Sequence, residues 1–248
     1  DWAMPEEVNR VVTDRVSDYL LAPSADAVAN LLAEGYRADQ IHLVGNVMVD
    51  SLLANLDRAK RRGTAAALGL DPGNYGLVTL HRPANVDGGP VLAALVGALA
   101  EVSAACPLVF PVHPRTRRHL QDLPAASNLR LVEPLGYLDF IDLEAGARIV
   151  LTDSGGVQEE TTVLGVPCLT LRENTERPIT VTEGTNRVVG RDPAAIVAAA
   201  RRVLEHGVEP RRPSLWDGKA SERIADVLLG PASGLRPTDL PAGPAAAG

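Results

Sequence analysis

The sequence of 248 residues contains little cysteine, few aromatic residues and no excess of positive charge. Its two cysteines, Cys106 and Cys168, adjoin apolar segments, so we expect small buried hydrophobic side chains and neither a disulfide nor a metal site. The net charge of −7 argues against a general surface for nucleic acid or anionic membranes. The longest apolar stretch, around Val91–Val102, is too short to span a bilayer, and we expect a cytoplasmic protein.

Two phosphate-binding signatures are also missing. The sequence has no Gly-x-Gly-x-x-Gly and no Walker loop, which leaves little support for a dinucleotide enzyme or a P-loop ATPase. We therefore expect no cofactor. The hydrophobic content of 46% is ordinary for a globular protein and can fill a sizeable core.

What the sequence does contain is an alternation of strand-like and helix-like segments, which is typical of a parallel α/β sheet. The strand candidates are short, continuous and rich in Val, Leu and Ile, as strands covered on both faces should be: 41–45, 76–80, 108–112, 129–132, 149–152, 167–171 and 187–189. The helices predicted between them span 90–104, 114–122, 137–145, 155–164 and 193–206. Asp192 is expected to cap the last helix and Gly207 to end it.

The two ends of the chain depart from this pattern. Residues 1–44 predict a helix, the strand Tyr19–Ala22, a second helix and a strand, which is the tail of an α/β domain without its earlier strands. Residues 45–214 predict a complete lobe, residues 215–229 a return helix, and the Pro- and Gly-rich residues 230–248 a disordered tail. Six apolar side chains in the first part need a sheet to cover, and we expect them to be exposed or covered by another chain: Val11, Val12, Leu20, Leu21, Leu31 and Leu32.

The segment after the strand at 149–152 carries the sharpest chemical signal, since open α/β sheets bind ligands at the carboxyl ends of their strands. Ser154-Gly155-Gly156 leads there into a helix, whose amino terminus offers N–H groups suited to phosphate or diphosphate. Glu160 lies one turn further on the same face and can accept hydrogen bonds from both hydroxyls of a ribose. An ordinary capped helix with acidic first-turn residues explains the same pattern, and that alternative stays open.

Two further segments follow strands. His81 and Arg82 suit an anionic ligand, although a histidine that merely satisfies a loop carbonyl explains the position equally well. Arg177 is placed to meet a phosphate, and the alternative is a surface loop with internal ion pairs.

Taken in order, nine motifs resemble the family of non-hydrolysing UDP-N-acetylglucosamine (UDP-GlcNAc) 2-epimerases. Each motif alone is unspecific, whereas nine in register are diagnostic. They extend over about residues 4–229 and comprise Met4–Arg10, Val44–Asn46, Thr79–Arg82, Pro111–Pro114, Pro134–Phe140, Thr152–Glu160, Gly165–Pro167, Arg172–Pro178 and Asp217–Ile224.

The resemblance implies an α/β fold like that of the GT-B glycosyltransferases, with a UDP-sugar between two Rossmann-like lobes. This chain would hold one complete lobe and the end of a second. By resemblance, the diphosphate is bound by Ser154, Gly155, Gly156 and Arg177, and the ribose by Glu160. Phe140 and the backbone near Leu135 resemble the wall on the uracil side.

The family's reaction inverts C2 of the sugar, from UDP-GlcNAc to UDP-N-acetylmannosamine (UDP-ManNAc). UDP leaves with loss of the C2 proton to give 2-acetamidoglucal, and then adds back with protonation on the opposite face. His81 resembles the active-site histidine near the sugar and the leaving diphosphate, and Glu6 resembles one of the catalytic carboxylates. The resemblance also implies a homodimer, UDP-GlcNAc or UDP as ligand, and a place in nucleotide-sugar metabolism for polysaccharide biosynthesis.

One departure from the family pattern concerns the start of the chain. Family members open with a Gly-Thr-Arg-Pro-Glu loop and carry a His-Val-Glu-Ala-Gly-Leu-Arg motif, and neither is present here. We therefore expect the chain to start inside the family's amino-terminal lobe and to lack turnover in isolation. Three alternatives stay open: a glycosyltransferase lobe of the same fold, a hydrolysing epimerase, and a catalytically silent UDP-sugar-binding module.

Overall fold

A computed structural model describes residues 5–87, 89–120 and 127–229, so the disorder predicted for 230–248 lies outside the described residues. The chain divides into two compact units, one drawn from residues 1–50 and 214–248 and the other from residues 51–213. Within the described ranges, no helix has the length and apolar character needed to cross a membrane. The domain boundaries given above remain a prediction.

The secondary structure alternates between strands and helices along most of the chain. The strands are β1 (Leu20–Ala22), β2 (Ile41–Leu43), β3 (Gly76–Thr79), β4 (Leu108–Pro111), β5 (Leu129–Val132), β6 (Ile149–Thr152), β7 (Cys168–Thr170) and β8 (Asn186–Val188). The helices are α1 (Pro5–Arg15), α2 (Ala25–Ala33), α3 (Val47–Lys60), α4 (Thr64–Ala67), α5 (Pro83–Val86), α6 (Gly89–Ser103), α7 (Pro114–Leu120), α8 (Tyr137–Gly146), α9 (Gly155–Leu164), α10 (Ile179–Thr182), α11 (Pro193–His206) and α12 (Ala220–Leu229).

The larger unit is built on a six-stranded parallel sheet in the order β5-β4-β3-β6-β7-β8. Counted within this sheet alone, the order is 3-2-1-4-5-6, that of a doubly wound Rossmann fold. The winding reverses between β3 and β6, which pair along Gly76–Thr79 and Ile149–Thr152. The crevice at the carboxyl ends of these two strands is therefore the place where such a sheet binds ligands.

Both faces of this sheet are buried, because successive side chains of a strand point to opposite faces. Phe110 and Leu151 pack against α6 and α11 on one face, while Leu77 and Val150 pack against a cluster that includes residues of α8 and α9 on the other. This double burial explains why the strands appear in the sequence as continuous apolar runs rather than alternating ones. Cys106 and Cys168 are buried and unpaired, as expected.

Most predicted elements are confirmed to within one or two residues. The cap of α11 is also as expected: the Asp192 carboxylate accepts from the Ala195 amide at 2.8 Å, and Gly207 ends the helix with φ +67°. The sequence analysis missed α3, although Asn46 accepts from the Met48 amide at 2.9 Å and caps its first turn. A search for apolar residues three and seven apart after an Asn cap would have found this helix, whose buried side chains include Val49, Leu52 and Ala59.

The smaller unit contains the two-stranded parallel sheet β1–β2, packed against α2. Leu20 and Leu31 are buried in that cluster, so the expectation that they would be exposed is wrong: β2 and α2 provide enough cover. Val12 and Leu32 are 60% and 42% exposed, as expected for that pair. Helix α1 buries none of its residues.

Candidate ligand-binding site

Asp153 organises the carboxyl ends of β3 and β6. Its carboxylate is completely buried and accepts hydrogen bonds from the amides of His81 (3.1 and 3.2 Å) and Arg82 (3.0 Å) and from Nδ2 of Asn85 (3.0 Å). Burial raises the pKa of Asp153, but the hydrogen bonds from His81, Arg82 and Asn85 outweigh it, so the pKa lies below its ordinary value. An ionised carboxylate thus fixes the loop that follows β3.

The same carboxylate orients the imidazole of His81. Nδ1 of His81 lies 3.0 Å from Oδ1 of Asp153, the distance at which an Nδ1–H donates to a carboxylate, while the His81 side chain stays 54% exposed. With Nδ1 engaged, Nε2 is the nitrogen that remains for a ligand. The structure therefore favours a fixed, accessible histidine over one that satisfies a loop carbonyl.

The amino terminus of α9 has backbone that a ligand can approach. Ser154 precedes the helix in an extended conformation, and its hydroxyl makes no capping hydrogen bond. Neither Gly155 nor Gly156 has a positive φ. A Cβ added at Gly155 would meet only Glu176 Oε2, at 3.9 Å, and one at Gly156 only Ser154 Oγ, at 4.0 Å. The fold itself thus leaves room for side chains at both positions, which favours glycine being there for the approach of a ligand to the backbone.

Glu176, in the loop after β7, lies beside the amino terminus of α9. Arg172 binds its carboxylate through both terminal nitrogens, at 2.7 and 2.6 Å, and Arg82 Nη2 lies 3.5 Å from Oε1. The hydrogen bonds from Arg172 lower the pKa of Glu176 to about 2. Loops from β3, β6 and β7 therefore converge in a cluster where arginine side chains are held beside the start of α9.

Arg177 lies in the loop that follows β7, where it is held against α9. Its Nε donates to Oε1 of Glu159 at 2.6 Å, and Nη1 donates to the Glu176 carbonyl at 3.2 Å. The Arg177 side chain is still 42% exposed, so a ligand can reach it. The predicted ion-paired loop and the predicted phosphate contact are thus both compatible with this geometry.

Glu160 is buried on α9, with 7% of its surface exposed. Tyr137, at the start of α8, is close enough to Glu160 for each side chain to shift the pKa of the other. Burial is the largest cause that raises the pKa of Glu160 to about 7, followed by repulsion from Glu159, and Tyr137 opposes both. Glu160 is therefore harder to ionise than a solvated first-turn acid.

The remaining predicted site residues lie in different parts of the structure. Leu135 and Phe140 are half-buried and pack with Val157 of α9 in one apolar cluster, and their place on the uracil side stays a prediction. Glu6 lies exposed on α1, in the smaller unit.

Asp153, Glu176 and Tyr137 were not singled out from the sequence. Only Asp153 carried a usable signal, because an acidic residue directly after a fully buried strand needs several hydrogen-bond donors. Its partners lie 68 to 72 residues away, so the identity of those donors depends on the pairing of β3 with β6.

Comparison with known proteins identifies the family. A family model described as UDP-N-acetylglucosamine 2-epimerase matches residues 1–229. The UDP-N-acetylglucosamine 2-epimerase of Methanococcus maripaludis is 39% identical over 241 residues, which cover 93% of this chain and 66% of that protein. The UDP-2,3-diacetamido-2,3-dideoxy-D-glucuronate 2-epimerase of Pseudomonas aeruginosa is 41% identical over 229 residues, which cover 91% of this chain and 63% of that protein.

A solved structure gives the same result. The UDP-GlcNAc 2-epimerase of Methanocaldococcus jannaschii, in complex with UDP-GlcNAc and UDP, matches with a TM-score of 0.81 and 40% identity, over 92% of this chain and 65% of that one. The chain thus spans about two thirds of the length of these relatives. The expected α/β fold of the GT-B type is confirmed. The chain belongs to the UDP-N-acetylglucosamine 2-epimerase family.

Proposed function

We propose that this chain binds UDP and serves as the nucleotide-binding part of a UDP-GlcNAc 2-epimerase. The observation that carries the proposal is the amino terminus of α9, where Gly155 and Gly156 lie although the fold has room for larger side chains. A helix amino terminus with accessible backbone suits a diphosphate. The matched structure with UDP-GlcNAc and UDP supports the same ligand class.

In this proposal each part of the nucleotide has its own partners. Gly155 and Gly156 bind the diphosphate with their backbone amides and Ser154 binds it with its hydroxyl, because the Ser154 amide donates to Oγ1 of Thr152. Arg177 adds a positive charge. Glu160 accepts hydrogen bonds from the two ribose hydroxyls. Leu135 and Phe140 line the uracil side, where a half-buried apolar surface is present.

The proposed reaction inverts C2 without net hydrolysis. A base removes the C2 proton while the bond from C1 to the diphosphate oxygen breaks, giving 2-acetamidoglucal and UDP; the reverse addition with protonation on the other face gives UDP-ManNAc. His81, held through Nδ1 by Asp153, stabilises charge on the departing diphosphate through Nε2. Glu6 contributes to proton transfer at C2. The non-hydrolysing course, the homodimer and a cytoplasmic location belong to the same proposal and rest on the sequence motifs.

A second candidate is a different UDP-sugar. The P. aeruginosa relative, whose name gives a diacetamido-glucuronate as its substrate, is as similar to this chain as the UDP-GlcNAc enzymes are, at 41% identity. Its sugar carries a carboxylate at C6 and an acetamido group at C3. Calorimetry of the binding of each UDP-sugar separates the two candidates: binding of the uronate alone would overturn the UDP-GlcNAc assignment.

A substitution that adds a methyl group at the start of α9 tests the proposed diphosphate site. We expect Gly155→Ala to weaken UDP binding at least tenfold, about 1.4 kcal/mol, because the added Cβ occupies the space where the diphosphate approaches the backbone. The free energy of unfolding should not fall, since that Cβ meets only a carboxylate oxygen at 3.9 Å and alanine is the better helix residue. Isothermal titration calorimetry and urea unfolding measure the two quantities.

Gly97→Ala is the matched control. Gly97 lies in the middle of α6, exposed, with no atom within 4 Å of an added Cβ. Its substitution should raise stability slightly and leave UDP affinity unchanged. Equal UDP affinity in both variants would contradict a diphosphate at the start of α9, and absence of UDP binding by the unchanged chain would contradict the proposed function as a whole.

A further inference from the structure

We propose that a closed ring of hydrogen bonds positions Arg177, so that its guanidinium is in place for a diphosphate before the ligand binds. The four side chains of this ring, which we call the Arg177 ring, are Thr175, Gln158, Asn186 and Thr180. The proposal rests on the function proposed above, because Arg177 is there the positively charged partner of the diphosphate. It adds four positioning residues that are not assigned any contact with UDP.

The Arg177 ring begins at the backbone amide of Arg177 and ends at its carbonyl. The amide donates to Oγ1 of Thr175 at 2.9 Å, and the Thr175 hydroxyl donates to Oε1 of Gln158 at 2.5 Å. Nδ2 of Asn186 donates to the same Oε1 at 3.1 Å and to Oγ1 of Thr180 at 3.0 Å. The Thr180 hydroxyl closes the ring by donating to the Arg177 carbonyl at 2.7 Å. The amide and the carbonyl of one residue are therefore fixed by the same set of side chains.

The chemistry of the groups determines the direction of each hydrogen bond. A backbone amide only donates, so the Thr175 hydroxyl accepts from Arg177 and uses its own proton on Gln158. A carbonyl only accepts, so the Thr180 hydroxyl uses its proton on Arg177 and accepts from Asn186. The two protons on Nδ2 of Asn186 serve one partner each. Loss of one member therefore removes a donor or an acceptor that the other members cannot replace.

Most of the ring is buried. Gln158 and Thr180 are completely buried, Asn186 is 5% exposed and Thr175 is half-buried. The hydroxyl of Thr170 donates to Oδ1 of Asn186 at 2.6 Å, which orients the Asn186 amide. Nε2 of Gln158 is buried and has no hydrogen-bond partner among the described residues. Since a buried amide without a full set of partners destabilises the fold, stability alone does not explain a glutamine at this position.

Helix α9 holds Arg177 at two points. Gln158 belongs to the ring that fixes the Arg177 backbone, and the next residue, Glu159, accepts from Nε of Arg177 at 2.6 Å. Gly155 and Gly156, where the diphosphate is proposed to bind, begin the same helix. A guanidinium that is already ordered beside this helix loses less conformational entropy when the ligand binds. The ring thus connects the position of Arg177 to the helix that carries the diphosphate site.

The experiment compares Thr175→Val with Thr175→Ser by calorimetry of UDP binding. Valine has the shape of threonine without the hydroxyl, whereas serine keeps the hydroxyl. We expect UDP to bind Thr175→Val about fivefold more weakly than the unchanged chain, the ratio for one lost hydrogen bond, and Thr175→Ser to stay within about twofold. Thr182→Val is the control, because Thr182 is exposed on α10 and lies outside the ring, and it should leave UDP affinity unchanged. A loss in Thr175→Ser equal to that in Thr175→Val contradicts a role for the hydroxyl.

A double-mutant cycle separates positioning from a merely structural role. Arg177→Ala removes the side chain that the ring is proposed to position. In that background Thr175→Val should change UDP affinity by less than about twofold, because two residues that act through one interaction are not additive. A loss of about fivefold that persists without the Arg177 side chain overturns the inference. Equal UDP affinity in Thr175→Val and the unchanged chain overturns it as well.

The unliganded chain provides an independent measurement. The Nε–H resonance of Arg177, assigned by its loss in Arg177→Lys, should exchange with solvent faster in Thr175→Val than in the unchanged chain, and at the unchanged rate in Thr175→Ser. An unchanged exchange rate in Thr175→Val overturns the inference, because Glu159 alone would then hold the guanidinium. This measurement needs no UDP, so failure of the inference is distinct from failure of the proposed function.

Discussion

Replacement of Asp153 by alanine should destabilise the chain by about 3–5 kcal/mol, as expected when one partner of a buried, charged hydrogen-bond network is removed. The substitution leaves the buried Asn85 amide and the amides of His81 and Arg82 without their shared acceptor. It also frees Nδ1 of His81, which then loses its fixed orientation. Urea unfolding at pH 7 measures the loss.

The stability due to Asp153 depends on pH in a defined direction. Its pKa in the folded chain lies below the unfolded value, so the folded state binds fewer protons than the unfolded state. The contribution is fully present above the unfolded pKa of about 4 and is lost as the pH falls through the lower folded pKa. The difference in unfolding free energy between the unchanged chain and Asp153→Asn should therefore shrink below about pH 4.

Asp71→Ala is the control for this experiment, because Asp71 is exposed in the same unit. Its effect should stay within about 0.5 kcal/mol. If Asp153→Ala costs no more than this control, the Asp153 carboxylate does not hold the loop after β3, and the orientation argued for His81 fails with it.

The parallel sheet could be predicted from the sequence because a strand that is buried on both faces has a recognisable pattern of residues. Strands such as β6, Ile149–Thr152, are apolar at consecutive positions and end at polar or glycine residues. Strand order is different: β3 lies between β4 and β6 through hydrogen bonds between segments 32 and 73 residues apart, and no local pattern encodes that choice. The position of the crevice between β3 and β6 could therefore be determined only from the structure.

The residues of the candidate site also differ in whether local sequence or tertiary packing determines their position. Ser154-Gly155-Gly156 and Glu160 lie on one continuous strand–turn–helix segment, where local spacing determines which residues share a face. The pairing of Glu176 with Arg172 is equally local, four residues apart, but its position beside Gly155 comes from the neighbouring loops. Tyr137 and Glu160 lie on two different helices, α8 and α9, and only the packing of these helices reveals the effect of each side chain on the pKa of the other.

The second large effect is expected from Glu160, whose replacement should change UDP affinity and stability in opposite directions. Glu160→Ala should weaken UDP binding by about 1–3 kcal/mol, because the ribose hydroxyls lose an acceptor in a buried place. Calorimetry at pH 8 measures this loss with Glu160 ionised. Glu101→Ala, which removes an exposed carboxylate of α6 paired with Arg201, should leave UDP affinity unchanged.

The stability of the unliganded chain should move the other way in Glu160→Gln, which keeps the size of the side chain but cannot ionise. The folded pKa of about 7 lies above the unfolded value, so the folded state binds more protons and ionisation of Glu160 opposes folding as the pH rises. Glu160→Gln should therefore be more stable than the unchanged chain at pH 8, with the advantage fading toward pH 4. A chain that tolerates a destabilising carboxylate at this position is expected if the carboxylate serves a ligand. Unchanged UDP affinity in Glu160→Ala would show that Glu160 does not bind the ribose, even if the stability changes as expected.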